Sequence, residues 1–128
     1  MDSTADTIAI QQLLARYCQL IDDLRLDDLG TLFLEDAVWE AAPLRFEGRA
    51  AIVAGFAQIE PPRPGMVRHI TFTPVIDFAG DEAHVWADAM ALQVGAPGEV
   101  SPVVAVGRYY DFLKRDRGQW RFAHRVFA

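Results

Sequence analysis

The chain has 128 residues and a formal net charge of −6, a size that fits one domain with one hydrophobic core. Apolar residues make up 52% and charged residues 23% of it, which excludes disorder. No apolar run approaches the ~18 residues of a membrane span. The acidic balance speaks against nucleic acid, whose affinity rests on clustered Lys and Arg. The opening MDSTADT has no Lys or Arg, unlike a secretory leader, so a cytoplasmic location is expected. Cys18 is the one cysteine. It leaves no internal disulfide and no multi-cysteine metal pattern, and its place in an apolar stripe reads as a buried thiol.

In chain order, residues 7–24 repeat apolar side chains at Ile10, Leu13, Leu14, Tyr17, Ile21 and Leu24, a spacing that predicts an amphipathic helix with Thr4 or Asp6 as its cap. Asp27 opens a short second helix carrying Leu29, Leu32 and Phe33 inward. Residues 37–46 read as a bent strand or hairpin that Pro43 keeps at an edge. Gly48 leads into a third helix with Ile52, Phe56 and Ile59 on one face, stopped by Pro61-Pro62. The remaining runs, 67–79, 83–94, 103–115 and 119–127, are strand-like and separated by turn residues. Helices first and hairpin-linked strands afterwards predict an α+β fold, a curved antiparallel sheet against three helices with a pocket between the layers. In 83–94 one strand face is an alanine row, which suits close packing or a cavity equally.

Charge is uneven along the chain. Residues 1–40 hold nine acids and two bases, and residues 108–125 hold six bases and two acids. The basic segment reads as an outward strand face paired with the acidic helices. The three histidines, His69, His84 and His124, stand in no metal-ligand spacing, so no metal is expected. No nucleophile-elbow, P-loop or dinucleotide motif occurs, so no cofactor is expected either. Acid–base chemistry from a histidine and carboxylates is what remains. Asp22 and Asp23 end the first helix, where the macrodipole disfavours negative charge. Asp22 shares the i, i+4 row of Cys18 and so can point into a pocket, or the pair can simply be a solvated helix end.

The segments QQLLARYCQLIDDLRLDDLGTLFLEDAVWE (11–40), FEGRAAI (46–52), RHITFTP (68–74), GDEAHVWADA (80–89) and GRYYDFLKRDRGQWRFAHR (107–125) resemble, in order, the SnoaL-like group of the nuclear transport factor 2-like superfamily. The resemblance covers residues 1–128 as a single SnoaL-like domain. It implies the cystatin-like cone, and a homodimer or higher oligomer through the outer sheet face. The superfamily hosts several chemistries, so function has to come from the site. Scytalone dehydratase and hexachlorocyclohexane dehydrochlorinase use a His–Asp dyad, whose positions fall on Asp22 and His69. Where the dehydratase has a pocket tyrosine and a second histidine this chain has Ala41 and Ala87, and its serine and asparagine fall near Gly107 and Tyr109, which implies a more apolar ligand. The ketosteroid isomerase branch matches at Tyr17 but has its basic Asp at Ala41. Limonene-epoxide hydrolase needs an Arg where Trp86 precedes Ala87-Asp88.

The resemblance thus implies a cofactor-independent lyase, dehydratase or dehydrohalogenase in type, with Asp22 and His69 catalytic. Tyr17, Trp39, Phe56, Ala87 and Tyr109 would line a site for a small apolar, aromatic or cyclic molecule. Several relatives close the pocket with a C-terminal segment, whereas this sequence stops at Ala128 just after Phe127, so its pocket is expected to be more open or to be capped by a neighbouring subunit. A non-catalytic scaffold like the small subunit of ring-hydroxylating dioxygenases is the first alternative, and a ketosteroid isomerase-like or polyketide cyclase-like isomerase the second.

Overall fold

The computed structural model describes residues 2–128. Its elements in chain order are α1 (Thr4–Asp22), α2 (Leu26–Gly30), β1 (Phe33–Ala41), β2 (Leu44–Glu47), α3 (Arg49–Ile59), β3 (Val67–Thr71), β4 (Val75–Ala79), β5 (Glu82–Gln93), β6 (Val103–Asp116) and β7 (Gln119–Phe127). Among the described residues, no helix is long and apolar enough to cross a membrane.

Helix α1 buries Ile10, Leu13, Leu14, Tyr17, Cys18, Ile21 and Asp22 along one stripe. It starts earlier than its apolar pattern because Asp2, rather than Thr4 or Asp6, accepts from the Thr4 N–H at 2.9 Å and from its hydroxyl at 2.6 Å. It stops at Asp22, two residues short of the expected end. Leu24 adopts φ 54°, a left-handed conformation that breaks the ladder and takes Leu24 off the stripe. Asp6 lies inside the helix and receives Arg115 at 2.9 Å and the Trp120 indole N–H at 3.0 Å, tying α1 to the sheet. Helix α2 begins before Asp27, with Arg25 at its N-cap position. Gly48 precedes α3 with φ 91°, a conformation open to glycine at no steric cost.

The sheet runs β2-β1-β7-β6-β5-β3, with β4 also on β5. It is antiparallel at every junction except one: β1 and β7 are parallel, with Trp39 opposite Arg125. The local pattern predicts hairpins well, but β1 meets β7 only after helix and sheet have wound between them, and that long connection sets the direction. The expected single strand at 67–79 breaks at residues 72–74. Pro74 cannot donate to a ladder, so β3 pairs with the 89–93 end of β5 and β4 with its 82–86 end. Residue 43 is reached through a cis Ala42-Pro43 bond, which separates β1 from β2.

Alternation on β5 puts Ala83, Val85, Ala87, Ala89 and Ala91 inside. The alanine row serves both of its possible purposes. Ala83 and Ala87 pack in the core, whereas Ala89 and Ala91 stand over a hollow. The other β5 face is outward, and there Trp86 and Met90 neighbour Tyr110 and Val106 of β6.

Arg125 departs from the expected outward basic face. Arg108 does pair outward with Asp88 at 2.6 Å, but the Arg125 side chain is completely buried. A bulge in the β6–β7 ladder places Phe122 opposite Leu113 and His124 opposite Phe112, so Ala123 is extra and the parity of β7 flips. The Arg125 guanidinium carbon lies 3.4 Å from the Tyr109 ring centroid, 4.1 Å from that of Tyr17 and 4.6 Å from that of Phe122. Its Nε is 3.3 Å from Asp111 Oδ1. Burial works against the charge and Asp111 works for it, and the net effect holds Arg125 above its ordinary value. For Asp111, burial raises the carboxyl pKa to about 7 against the pull of Arg125.

A carboxyl raised from 3.8 in this way binds more protons in the folded than in the unfolded chain between about pH 4 and 7. Its contribution to stability is therefore full below about pH 4, falls as pH rises to about 7, and is level above. Denaturant unfolding across that window should show a decline that Asp111→Asn reduces. An unchanged profile in the variant would contradict the assignment.

Candidate active site

Asp22 and His69 meet because α1 lies across the edge of the sheet formed by β3. Asp22 closes the stripe one turn beyond Cys18, whose Sγ is 3.2 Å from the Thr71 hydroxyl of the same strand. Burial raises the Cys18 thiol pKa, in keeping with an inert packing role. One carboxylate receives two donors from a single residue. The His69 backbone N–H lies 3.1 Å from both Asp22 oxygens, and His69 Nδ1 is 2.7 Å from Oδ1. The carboxylate is almost fully buried, at 5% side-chain exposure, and the imidazole is 19% exposed. The Gly65 N–H donates to the Asp22 carbonyl at 3.1 Å, so the loop after α3 is also pinned at this point.

A carboxylate at Nδ1 holds the neutral ring as the Nδ1–H tautomer, with Nε2 as the unengaged nitrogen. His69 borders a cavity of about 180 Å³ between the helices and the inner sheet face, which Tyr17, Trp39 and Tyr109 also line. On the other side of the dyad an open groove of about 610 Å³ runs between α1 and β3. The cavity is mostly apolar: Ile21, Ala41, Ile59, Ala89 and Ala91 form much of its wall. It is smaller than the ~300–1,000 Å³ usual for ligand sites. Phe127 closes one side, and Gly107 makes this possible. A Cβ at Gly107 would stand 2.6 Å from Phe127 Cζ and 2.7 Å from the Ala128 carbonyl.

Three of the five expected lining residues thus reach the cavity. Phe56 and Ala87 do not line it. Phe56 packs edge-on against Trp39 with centroids 4.9 Å apart, and Ala87 is buried in the core opposite Tyr109. Trp39 donates its indole N–H to the Tyr17 hydroxyl at 3.1 Å, which fixes both rings. Burial raises the pKa of Tyr17 and Tyr109, so both phenols are neutral hydrogen-bond donors. The other histidines stand apart. His84 lies on the outer face against Trp86 and Phe112, and His124 Nε2 pairs with Glu40 at 2.5 Å.

Sequence reasoning missed Glu60. It caps α3 and lines the cavity with His69. Its signal was present: Ile52, Phe56 and Glu60 form one i, i+4 row, and the first two are fully buried. Burial raises the Glu60 carboxyl pKa, a charged His69 lowers it, and Asp22 raises it further.

Among solved structures, a protein of unknown function from Mycobacterium tuberculosis is 28% identical over 97% of this chain and 76% of its own, with a TM-score of 0.84. A scytalone dehydratase-type protein from Novosphingobium aromaticivorans is 22% identical over 96% of this chain and 83% of its own, with a TM-score of 0.79. The β subunit of an aromatic-ring-hydroxylating dioxygenase-type enzyme from the same organism is also 22% identical, over 98% and 89%, with a TM-score of 0.82. The last two likenesses are of fold. No functionally curated protein matches the chain significantly. The SnoaL-like domain model matches residues 2–126, essentially the whole described chain, and the protein belongs to the SnoaL-like domain family.

Proposed function

We propose that the protein is a cofactor-independent lyase that introduces a double bond into a small apolar cyclic or aromatic molecule, with Asp22 and His69 as its acid–base pair. The observation that carries this reading is the 2.7 Å contact between Asp22 and His69 Nδ1 beside an apolar cavity. With Nδ1–H held by Asp22, the lone pair on Nε2 is the base. It takes a proton from carbon, the C–H electrons form the new π bond, and the leaving group departs from the adjacent carbon. The imidazolium formed is stabilised by Asp22 at contact distance. Positioned proton transfer of this kind contributes ~10²–10⁴-fold. The size of the cavity suits one ring rather than a steroid or a fused polyketide, and the scytalone dehydratase-type neighbour supports the same class. The test is elimination from small cyclic β-substituted ketones. The wild type should form the enone, and His69→Gln should not. Equal rates in the two proteins would sink the reading.

One observation favours a second reading, a non-catalytic scaffold subunit. The outer sheet face exposes Val106 at 76% and Tyr110 at 43%, next to Trp86 and Met90. That apolar surface suits a second copy of this chain or a larger subunit, and one solved neighbour is a dioxygenase-type β subunit. As a scaffold, the protein would co-purify with a partner, and substitutions at Asp22 and His69 would be silent in the complex.

A further inference from the structure

Glu60 caps α3 through its backbone N–H alone, and its side chain has no such task. Its carboxyl makes no hydrogen bond or ion pair with a described residue, although the residue is half-buried. An apolar side chain at its place on the Ile52–Phe56 row would bury more favourably. Instead a carboxyl stands at the C-terminal end of α3, where the helix dipole disfavours its anion, on the wall of the cavity that His69 borders. The titratable groups facing that cavity are His69 from β3, Tyr17 from α1, Tyr109 from β6 and Glu60 itself, with the Asp22 carboxylate behind His69.

We propose that Glu60 is a second catalytic residue, a carboxylic acid that protonates an oxygen leaving group while His69 takes the proton from carbon. The proposal rests on the elimination reading and narrows its substrate class. A halide leaves as a stable anion and needs no acid, whereas hydroxide is a poor leaving group until it is protonated. A base and an unpartnered acid on one cavity therefore select dehydration of a β-hydroxy carbonyl compound over loss of halide. The balance is complete. The C–H bond breaks and its electrons form C=C; the C–O bond breaks and its pair stays on oxygen. Oxygen takes the Glu60 proton and leaves as water. His69 is left protonated and Glu60 ionised, and one proton passed from His69 to Glu60 restores both. Two carboxyls thus hold opposite roles by environment: Asp22 accepts from two N–H donors of His69, and the Glu60 carboxyl stands without a partner on an apolar wall, where burial raises its pKa.

Two measurements test this in the intact protein. The first needs no substrate: carbon-13 NMR of labelled glutamate carboxyls, with the Glu60 signal assigned by Glu60→Gln. A titration midpoint above the ordinary glutamate value of about 4.3, lowered in Asp22→Asn, is expected. An ordinary midpoint overturns the proposal whatever the protein catalyses. The second compares 3-hydroxycyclohexanone with 3-chlorocyclohexanone, which lose water or chloride to give the same enone. Glu60→Gln should slow water loss by ~10²–10⁴-fold, and should shift the water-to-chloride rate ratio toward chloride by about tenfold or more. Equal slowing of both reactions, or slowing of neither, overturns the role of Glu60 while leaving the dyad standing. If the wild type converts neither ketone, the elimination reading falls and the role of Glu60 falls with it.

Discussion

Asp22→Asn is expected to cost elimination ~10²–10⁴-fold with the fold intact. The substitution is isosteric and keeps one oxygen for the His69 backbone N–H, so α1 stays docked on β3. The loss arises at Nδ1. Asp22 now presents an acceptor to the ring at 2.7 Å and accepts the backbone N–H at 3.1 Å through the same carboxylate. An amide has a single acceptor oxygen. Seated at Oδ1, that oxygen faces both N–H groups but turns its NH₂ on the His69 backbone N–H; seated at Oδ2, it keeps the backbone bond, the NH₂ faces Nδ1, and the ring must carry its proton on Nε2. That is the wrong tautomer for a base directed at the substrate, and the counter-charge for the imidazolium is lost as well. Turnover and the unfolding midpoint, measured on the same preparation, separate this outcome from a folding defect. Wild-type turnover would remove Asp22 from the mechanism.

Arg125→Met is the second large effect, this time on stability. Removing one member of a buried pair costs about 3–5 kcal/mol, whereas replacing both members by apolar groups is often neutral. Here the cost has two parts. The guanidinium is in contact with the rings of Tyr109, Tyr17 and Phe122, and a thioether keeps much of that packing. The electrostatic part depends on pH because the Asp111 carboxyl already sits at about 7. Below that pH it is protonated and tolerates the loss of Arg125. Above it, the carboxyl has to ionise without a counter-charge or hold its proton against the solvent. The single variant should therefore be most destabilised at alkaline pH, and Asp111→Leu combined with Arg125→Met should recover much of the loss. A destabilisation independent of pH would contradict the pairing. Since Tyr17 and Tyr109 line the cavity above Arg125, a misplaced guanidinium would also disturb the site.

Local patterns carried most of the architecture. Three-four spacing marked α1, prolines ended α3, and alternation on β5 identified an inner alanine face, whereas the break at Pro74 within 67–79 was not foreseen. The Asp22–His69 pair was legible only through the family resemblance. Nothing in a helix-end aspartate or a lone histidine says that 47 positions of chain separation close to one contact. The errors have physical causes. A bulge at Ala123 reversed the parity of β7, so an arginine read as outward became the most deeply buried charge. Phe56 and Ala87 face inward as expected, but Phe56 packs against Trp39, which lines the hollow, and Ala87 is buried in the core opposite Tyr109. Glu60 was overlooked because a charge at a helix end followed by two prolines reads as a terminus. Its i, i+4 distance from Phe56 was the better guide. Parallel pairing of β1 with β7 lies beyond any local pattern, since it depends on how the whole sheet closes around the helices.

The dyad is the central claim, and nitrogen-resolved NMR of the His69 ring tests it without a substrate. The predicted result is a ring proton on Nδ1, protected from exchange by its bond to Asp22, with Nε2 bare in the neutral ring and the pattern lost in Asp22→Asn. A proton on Nε2 instead, or a mixed tautomer indifferent to that substitution, would contradict the account and leave the SnoaL-like fold without its proposed base.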